Sequence, residues 1–157
     1  MNLKHQKGFT LIELLVIVAI IGLLSSIIST AVNISRVRAR DAKRVQDLKQ
    51  VKAGMDLYLN TGNGYPDTGV WVPGTLLLCG TVETFKVPSD PSPLYAYTYA
   101  AGGTSNAGCG GTVRSTWTLQ FYVENKGGYY HIDQDGVVRT GLSGSGGAIV
   151  SLDSLVK

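Results

Sequence analysis

Apolar and small residues fill the chain almost without a break from Phe9 to Ile34, and Glu13 is the one charge among them. As a helix, such a span reaches roughly 39 Å, enough to cross a hydrocarbon core with some tilt. Beyond Ile34 the apolar positions thin to Val37, Val45, Leu48, Val51, Met55 and Leu59. From Val45 onward they recur every three or four residues, which leaves one apolar stripe on a polar helix. No proline precedes Pro66, and Asn60-Thr61-Gly62-Asn63-Gly64 holds residues that end helices. The pattern predicts one helix from about Phe9 to Asn60, roughly 78 Å long. Its first half is apolar all round and needs lipid or protein about it. Its second half needs a partner for one face only.

After the helix the pattern changes. Pro66, Pro73, Pro88, Pro91 and Pro93 exclude a long helix and predict loops. Tyr95 to Ala100, Trp117 to Glu124, Gly128 to Asp133 and Val137 to Thr140 carry the aromatic and β-branched residues of strands. Asp133-Gln134-Asp135-Gly136 reads as the turn between the last two. Residues 102–111 read as a polar, Gly-rich loop, 141–147 as a flexible Gly/Ser link, and 148–157 as a short amphiphilic tail. The fold class expected is α+β: a long N-terminal helix packed on a small antiparallel sheet.

The net charge of +3 becomes informative only when divided along the chain. The second half of the helix holds Arg36, Arg38, Arg40, Lys43, Arg44, Lys49 and Lys52 against Asp41, Asp47 and Asp56. The head from residue 61 carries five bases and seven acids, so it is mildly acidic. A basic stalk joined to an acidic head does not predict a nucleic-acid partner. Cys79 and Cys109 both lie in the head, without a CxxC pair. In an exported protein two such residues most simply form one disulfide.

The inventory argues against an enzyme. The glycine clusters lack the phosphate-cradling patterns, and Gly141-Leu142-Ser143-Gly144-Ser145 misses the last glycine of a nucleophile elbow. His131 alternates with Tyr130 and Ile132 and reads as a surface or half-buried strand residue. Asp133 and Asp135 are candidate calcium ligands, because hard cations want clustered oxygens. Asp-x-Asp-Gly is also simply good turn chemistry. The tyrosines, all but Tyr58 in the head, read as packing for a small β-layer or as a stacking surface.

Lys7-Gly8-Phe9-Thr10-Leu11-Ile12-Glu13, with the basic leader before it and the apolar run after it, resembles the cleavage signal of type IV prepilins and type II secretion pseudopilins. The strong resemblance covers about residues 1–35. A looser likeness continues through Tyr58-Leu59-Asn60 and Gly64-Tyr65-Pro66, and a weaker one reaches Val87-Pro88-Ser89-Asp90-Pro91. The organisation implied is a leader over 1–8, a membrane and filament-core helix over 9–34, its amphipathic continuation over 35–62, and an extracytoplasmic head over 63–157. The resemblance implies a peptidase that cuts between Gly8 and Phe9 and methylates the new amine of Phe9. It implies that Glu13 serves assembly by pairing with the Phe9 amine of a neighbouring copy, and that Cys79 and Cys109 meet an oxidising compartment. The partners implied are further copies of the chain, that peptidase and methyltransferase, an inner-membrane assembly platform and membrane lipid. The product would be a pilus-like or pseudopilus filament, with this chain as a major or a minor subunit. The competing reading is a membrane-anchored module whose head binds DNA or a surface ligand. Many members carry a proline where this chain has Thr30, which leaves Gly22, Ser25, Ser26 and Ser29 as the weak points of the core helix. Lysine and arginine counts alone would keep the head inside the cell, since five basic residues lie between Arg36 and Arg44. The signal and the cysteines argue for outside.

Overall fold

The computed structural model describes residues 8–142 and 147–157. Most of the leader and the middle of the Gly/Ser link therefore lie outside the described residues. The chain divides into two units that part between Arg36 and Val37. One helix, α1, runs over Leu11–Gly62, close to the extent predicted. Its N-terminal stretch is exposed on every side: Leu11 is 82% exposed, and Ile17, Leu24 and Ile28 are also bare. Among the described residues it is the one helix long and apolar enough to cross a membrane. Two hydroxyls within this stretch are answered locally. Ser25 Oγ donates to the Ile21 carbonyl at 2.8 Å and Ser35 Oγ to the Ala31 carbonyl at 2.9 Å. Such back-bonding hides polar groups that hydrocarbon would not solvate.

The second unit begins at Val37, so the amphipathic continuation of α1 belongs with the head. Eight strands follow it: β1 (Tyr65–Pro66), β2 (Leu76–Cys79), β3 (Val82–Lys86), β4 (Thr98–Gly108), β5 (Gly111–Val123), β6 (Gly128–Asp133), β7 (Val138–Thr140) and β8 (Ile149–Val150). Six of them make one antiparallel sheet in the order β1-β5-β6-β7-β8, with β4 also paired to β5. The strand pair β2–β3 is a separate hairpin. Strand β5 is the centre, its inward side chains Val113, Trp117, Leu119, Phe121 and Val123 all buried. Against them lie Leu48, Val51, Met55 and Tyr58 of α1, in one core with Ile132, Val138 and Leu155. The stripe read from the sequence is therefore the face that docks.

Three expectations are corrected. Residues 102–111 are not a loop but the outer half of the β4–β5 hairpin, whose register slips between Gly102 and Ser105. Gly, Ser, Thr and Asn carry little strand propensity, and the ladder to β5 overrides it. The hairpin β2–β3 lies in the proline-rich stretch expected to be loop. His131 is buried at 4% exposure, its Nδ1 3.2 Å from the Gly141 carbonyl, because β7 and the segment after it cover that strand. The C-terminal tail is structured as well: it adds β8 and tucks Leu155 into the core.

Cys79 and Cys109 form the disulfide, with Cα atoms 4.4 Å apart. It joins the end of β2 to the β4–β5 turn and so links the two sheets. For a closed loop of this length the chain-entropy relation gives about 3.6 kcal/mol. The sulfurs sit on the last turn of α1, where a Cβ at Gly62 would overlap both of them. Gly54 is similarly placed against the Phe85 ring. Alanine normally helps a helix interior by about 1 kcal/mol over glycine, but here overpacking outweighs that gain. Gly54→Ala should lower stability by about 1–2 kcal/mol, read as a fall in the denaturant midpoint of the purified chain in detergent.

Candidate assembly site

The start of α1 is built as a reciprocal cap. Thr10 donates its backbone N–H at 2.9 Å and its hydroxyl at 2.8 Å to Glu13 Oε2, and the Glu13 N–H returns to Thr10 Oγ at 3.3 Å. This is a capping box, which satisfies donors that the first helical turn leaves orphaned. The Thr-x-x-Glu spacing is its sequence signal, although the resemblance draws attention to Glu13 alone. Only Oε2 is engaged; Oε1 accepts no hydrogen bond among the described residues. Phe9 is 78% exposed. Gly8 and Gly22 lie in open space, with nothing within 4 Å of an added Cβ.

A second polar constellation lies wholly within the head unit and is centred on Arg44, whose side chain is 1% exposed. Its Nε and Nη2 grip Asp90 at 2.8 and 2.7 Å, its Nη1 reaches Asp41 at 2.7 Å, and Nη2 also meets Glu124 Oε1 at 2.9 Å. Arg40 closes on Glu124 from outside with two contacts of 2.8 and 2.5 Å. Asp41 accepts the backbone N–H groups of Glu124 and Asn125 at 3.0 and 2.8 Å, which pins the β5–β6 turn to α1. Asp90 accepts the Ser92 N–H at 2.8 Å. Beside the cluster, Asp47 pairs with Lys43 and accepts the Tyr97 hydroxyl at 3.1 Å.

Burial alone would lower the pKa of the Arg44 guanidinium, but hydrogen bonds to Asp90, Glu124 and Asp41 outweigh it and raise it. The hydrogen bond from Arg40, aided by Arg44, holds the Glu124 carboxyl below its ordinary value. Burial and the neighbouring Asp47 push the Tyr97 phenol up, so it stays a donor. Buried charges are tolerable only when answered in this way.

These contacts correct one expectation. Arg40, Lys43 and Arg44 read from the sequence as charges of a basic stalk set apart from an acidic head. They are instead engaged by acids of their own unit. Arg36 and Arg38 remain exposed. The weak likeness at Val87-Pro88-Ser89-Asp90-Pro91 acquires a physical role, since its Asp90 is the principal partner of Arg44. Asp133 takes the Arg139 guanidinium, and its side chain accepts the Asp135 N–H at 3.1 Å. Gly136 closes that turn onto the Asp133 carbonyl at 2.9 Å. Among the described residues, no group of three or more His, Cys, Asp or Glu side chains is placed to hold a metal ion.

Residues 3–29 match the family pattern described as the prokaryotic N-terminal methylation motif. The chain is similar to type II secretion system core protein G of Aeromonas hydrophila, 32% identical over 68 residues, which is 43% of this chain and 48% of that protein. The same-named protein of Pseudomonas aeruginosa is 34% identical over 68 residues, again 43% and 48% of the two chains. That of Escherichia coli K12 is 33% identical over 63 residues, 40% of this chain and 43% of its own length. The matches thus span less than half the length of these relatives. No solved structure matches the chain.

Arg44→Ala should destabilise the head by about 3–5 kcal/mol, because it leaves three acids facing one another without their common partner. Thermal unfolding in detergent would show it. Glu124 has a folded pKa below its ordinary 4.5. Its contribution is therefore complete above that value and lost as pH falls through the lowered folded one. The wild-type melting temperature should drop in that acid window, and Arg40→Gln should blunt the drop.

Proposed function

We propose that this chain, which shares the N-terminal pattern of type IV pilins and pseudopilins, is a structural subunit of a type II secretion-like pseudopilus. The observation that carries the reading is an apolar helix, bare on all sides, that begins just after Gly8 and holds one carboxylate in its first turn. Such a surface requires lipid before assembly and other copies of the same helix after it. The N-terminal methylation motif and the similarity to core protein G support a pseudopilus over other uses of an apolar helix.

Processing after Gly8 would leave Phe9 as the first residue, with its amine methylated. Among the described residues nothing demands glycine at this position, since an added Cβ would meet open space. A requirement for Gly8 would then come from the peptidase cleft. Glu13 can serve two purposes at once. Its Oε2 caps its own helix through Thr10, while Oε1 is open to a positive amine of a neighbouring copy. Opposite charges in a poorly solvated filament core attract strongly, and either one left alone is costly. The head would lie outside the cytoplasm, in keeping with its disulfide. The single span would sit in the inner membrane until the assembly platform draws the subunit into a filament.

Intact mass of the protein from its native membrane should give an N-methylated start at Phe9. A start at Met1 would refute the processing, and Gly8→Trp should leave the precursor uncut in the membrane. Glu13→Val should insert at least as well as the parent, because a charge leaves hydrocarbon, yet enter filaments poorly. Arg38→Glu is the fitting control, being exposed and without a partner in its own unit, and should reduce incorporation only slightly. Normal incorporation of Glu13→Val beside failure of Arg38→Glu would reverse the roles assigned to the two charges.

A further inference from the structure

We infer that one end of the head carries a docking surface for the headgroup layer of an anionic bilayer, used while the subunit waits in the membrane. The inference rests on the membrane reading of the first unit and adds a site in the second. Tyr95 and Tyr122 stack with ring centroids 4.0 Å apart, and Tyr129 meets Tyr122 edge-on at 5.0 Å. The ladder leaves the sheet on its outward side, since Tyr122 alternates with the buried Phe121 and Val123 and pairs with Tyr129 across β5 and β6. Tyr129 is 44% exposed and Leu94, next to Tyr95, is 81% exposed.

The ladder is fixed to the ionic cluster, because the Arg44 guanidinium sits 5.6 Å from the Tyr95 ring centre. Two free cations stand close to that cluster along the chain. Arg38 precedes Arg40 by two residues on α1, and Lys126 follows Glu124 by two in the β5–β6 turn. Both are exposed, and neither has an acidic partner among the described residues, whereas Arg40 and Arg44 are both answered. Phenols, a bare leucine and uncompensated cations, on the elements that carry the ladder and the cluster, match the layered chemistry of a headgroup region: apolar body, polar tip, negative phosphate. The occupant is also held close. Ile34 ends the apolar run only ten residues before Arg44, so a bilayer holding that run is joined to the Arg44 segment by a short length of chain.

The test uses the full chain, labelled with fluorotyrosine, at one subunit per lipid nanodisc. The discs hold phosphatidylcholine alone or equimolar phosphatidylcholine and phosphatidylglycerol, with a nitroxide on a minor fraction of headgroups. Tyrosine resonances are assigned by Tyr→Phe variants. Tyr122 and Tyr129 should relax strongly in the anionic discs and weakly in the neutral ones, while Tyr58, Tyr65 and Tyr99 stay sharp. Arg38→Glu with Lys126→Glu should lower the docked-to-free ratio by at least roughly 30-fold, about fivefold for each cation lost near an anionic surface. Unchanged Tyr65 and Tyr99 shifts would show that the variant is folded. Ladder tyrosines that relax no more than Tyr58, or equally in both discs and in the variant, would overturn the inference. Relaxation that appears only with two subunits per disc would overturn it in favour of a second copy. A chain that fails to co-elute with discs would sink the membrane reading beneath it.

Discussion

A guanidinium held almost wholly out of water has to be met by carboxylates, and those that meet Arg44 come from separate parts of the chain. Asp41 lies one helical turn away on α1, Asp90 in the loop between the small hairpin and β4, and Glu124 at the end of β5. Each charge is tolerable only because the rest are present, so the cluster acts as a register mark. It fixes which turn of α1 faces the sheet, and the apolar stripe of Leu48, Val51 and Met55 then meets the inward residues of β5. The Asp41 contacts to the β5–β6 turn extend the same registration to the sheet's backbone.

The two units solve opposite problems. In the head, a core of apolar side chains is covered by its own sheet and the buried charges are paired. In the first unit the apolar side chains are bare, and Thr10, Glu13, Ser25 and Ser35 bond along the helix itself. That is the arrangement expected of a segment whose solvent is hydrocarbon or a sheath of like helices. Glu13 departs from it in part, since one of its oxygens is left without a bond.

What the sequence made legible followed the range of the interactions. Local signals were clear: the apolar run, the stripe from Val45 to Leu59, the Asn63 stop, and the β6–β7 hairpin at Asp133-Gln134-Asp135-Gly136. The Thr10–Glu13 box was local too and could have been read from its spacing. Strands made of glycine, serine and threonine were opaque, because β4 beyond Gly102 has no alternation and exists through its ladder to β5. The Arg44 cluster was opaque for another reason. Asp90 and Glu124 stand 46 and 80 positions away in sequence, and composition showed only an acidic head and a basic stalk. The burial of His131 likewise depended on a strand and a segment that come after it in the chain.

The head half of α1 is held near its beginning by the ion pairs of Arg44 and Asp41, and at its close Gly62 packs on the disulfide that joins the end of β2 to the β4–β5 turn. Between them Gly54 lets the Phe85 ring press against the helix. Tension carried along this half of α1 would load its ion pairs and its core contacts in shear, together. A helix fastened at one end would peel, breaking its contacts in succession. Resistance to pulling is set by the unfolding rate and not by equilibrium stability. A joint loaded in this way would resist pulling more than its resting stability alone suggests.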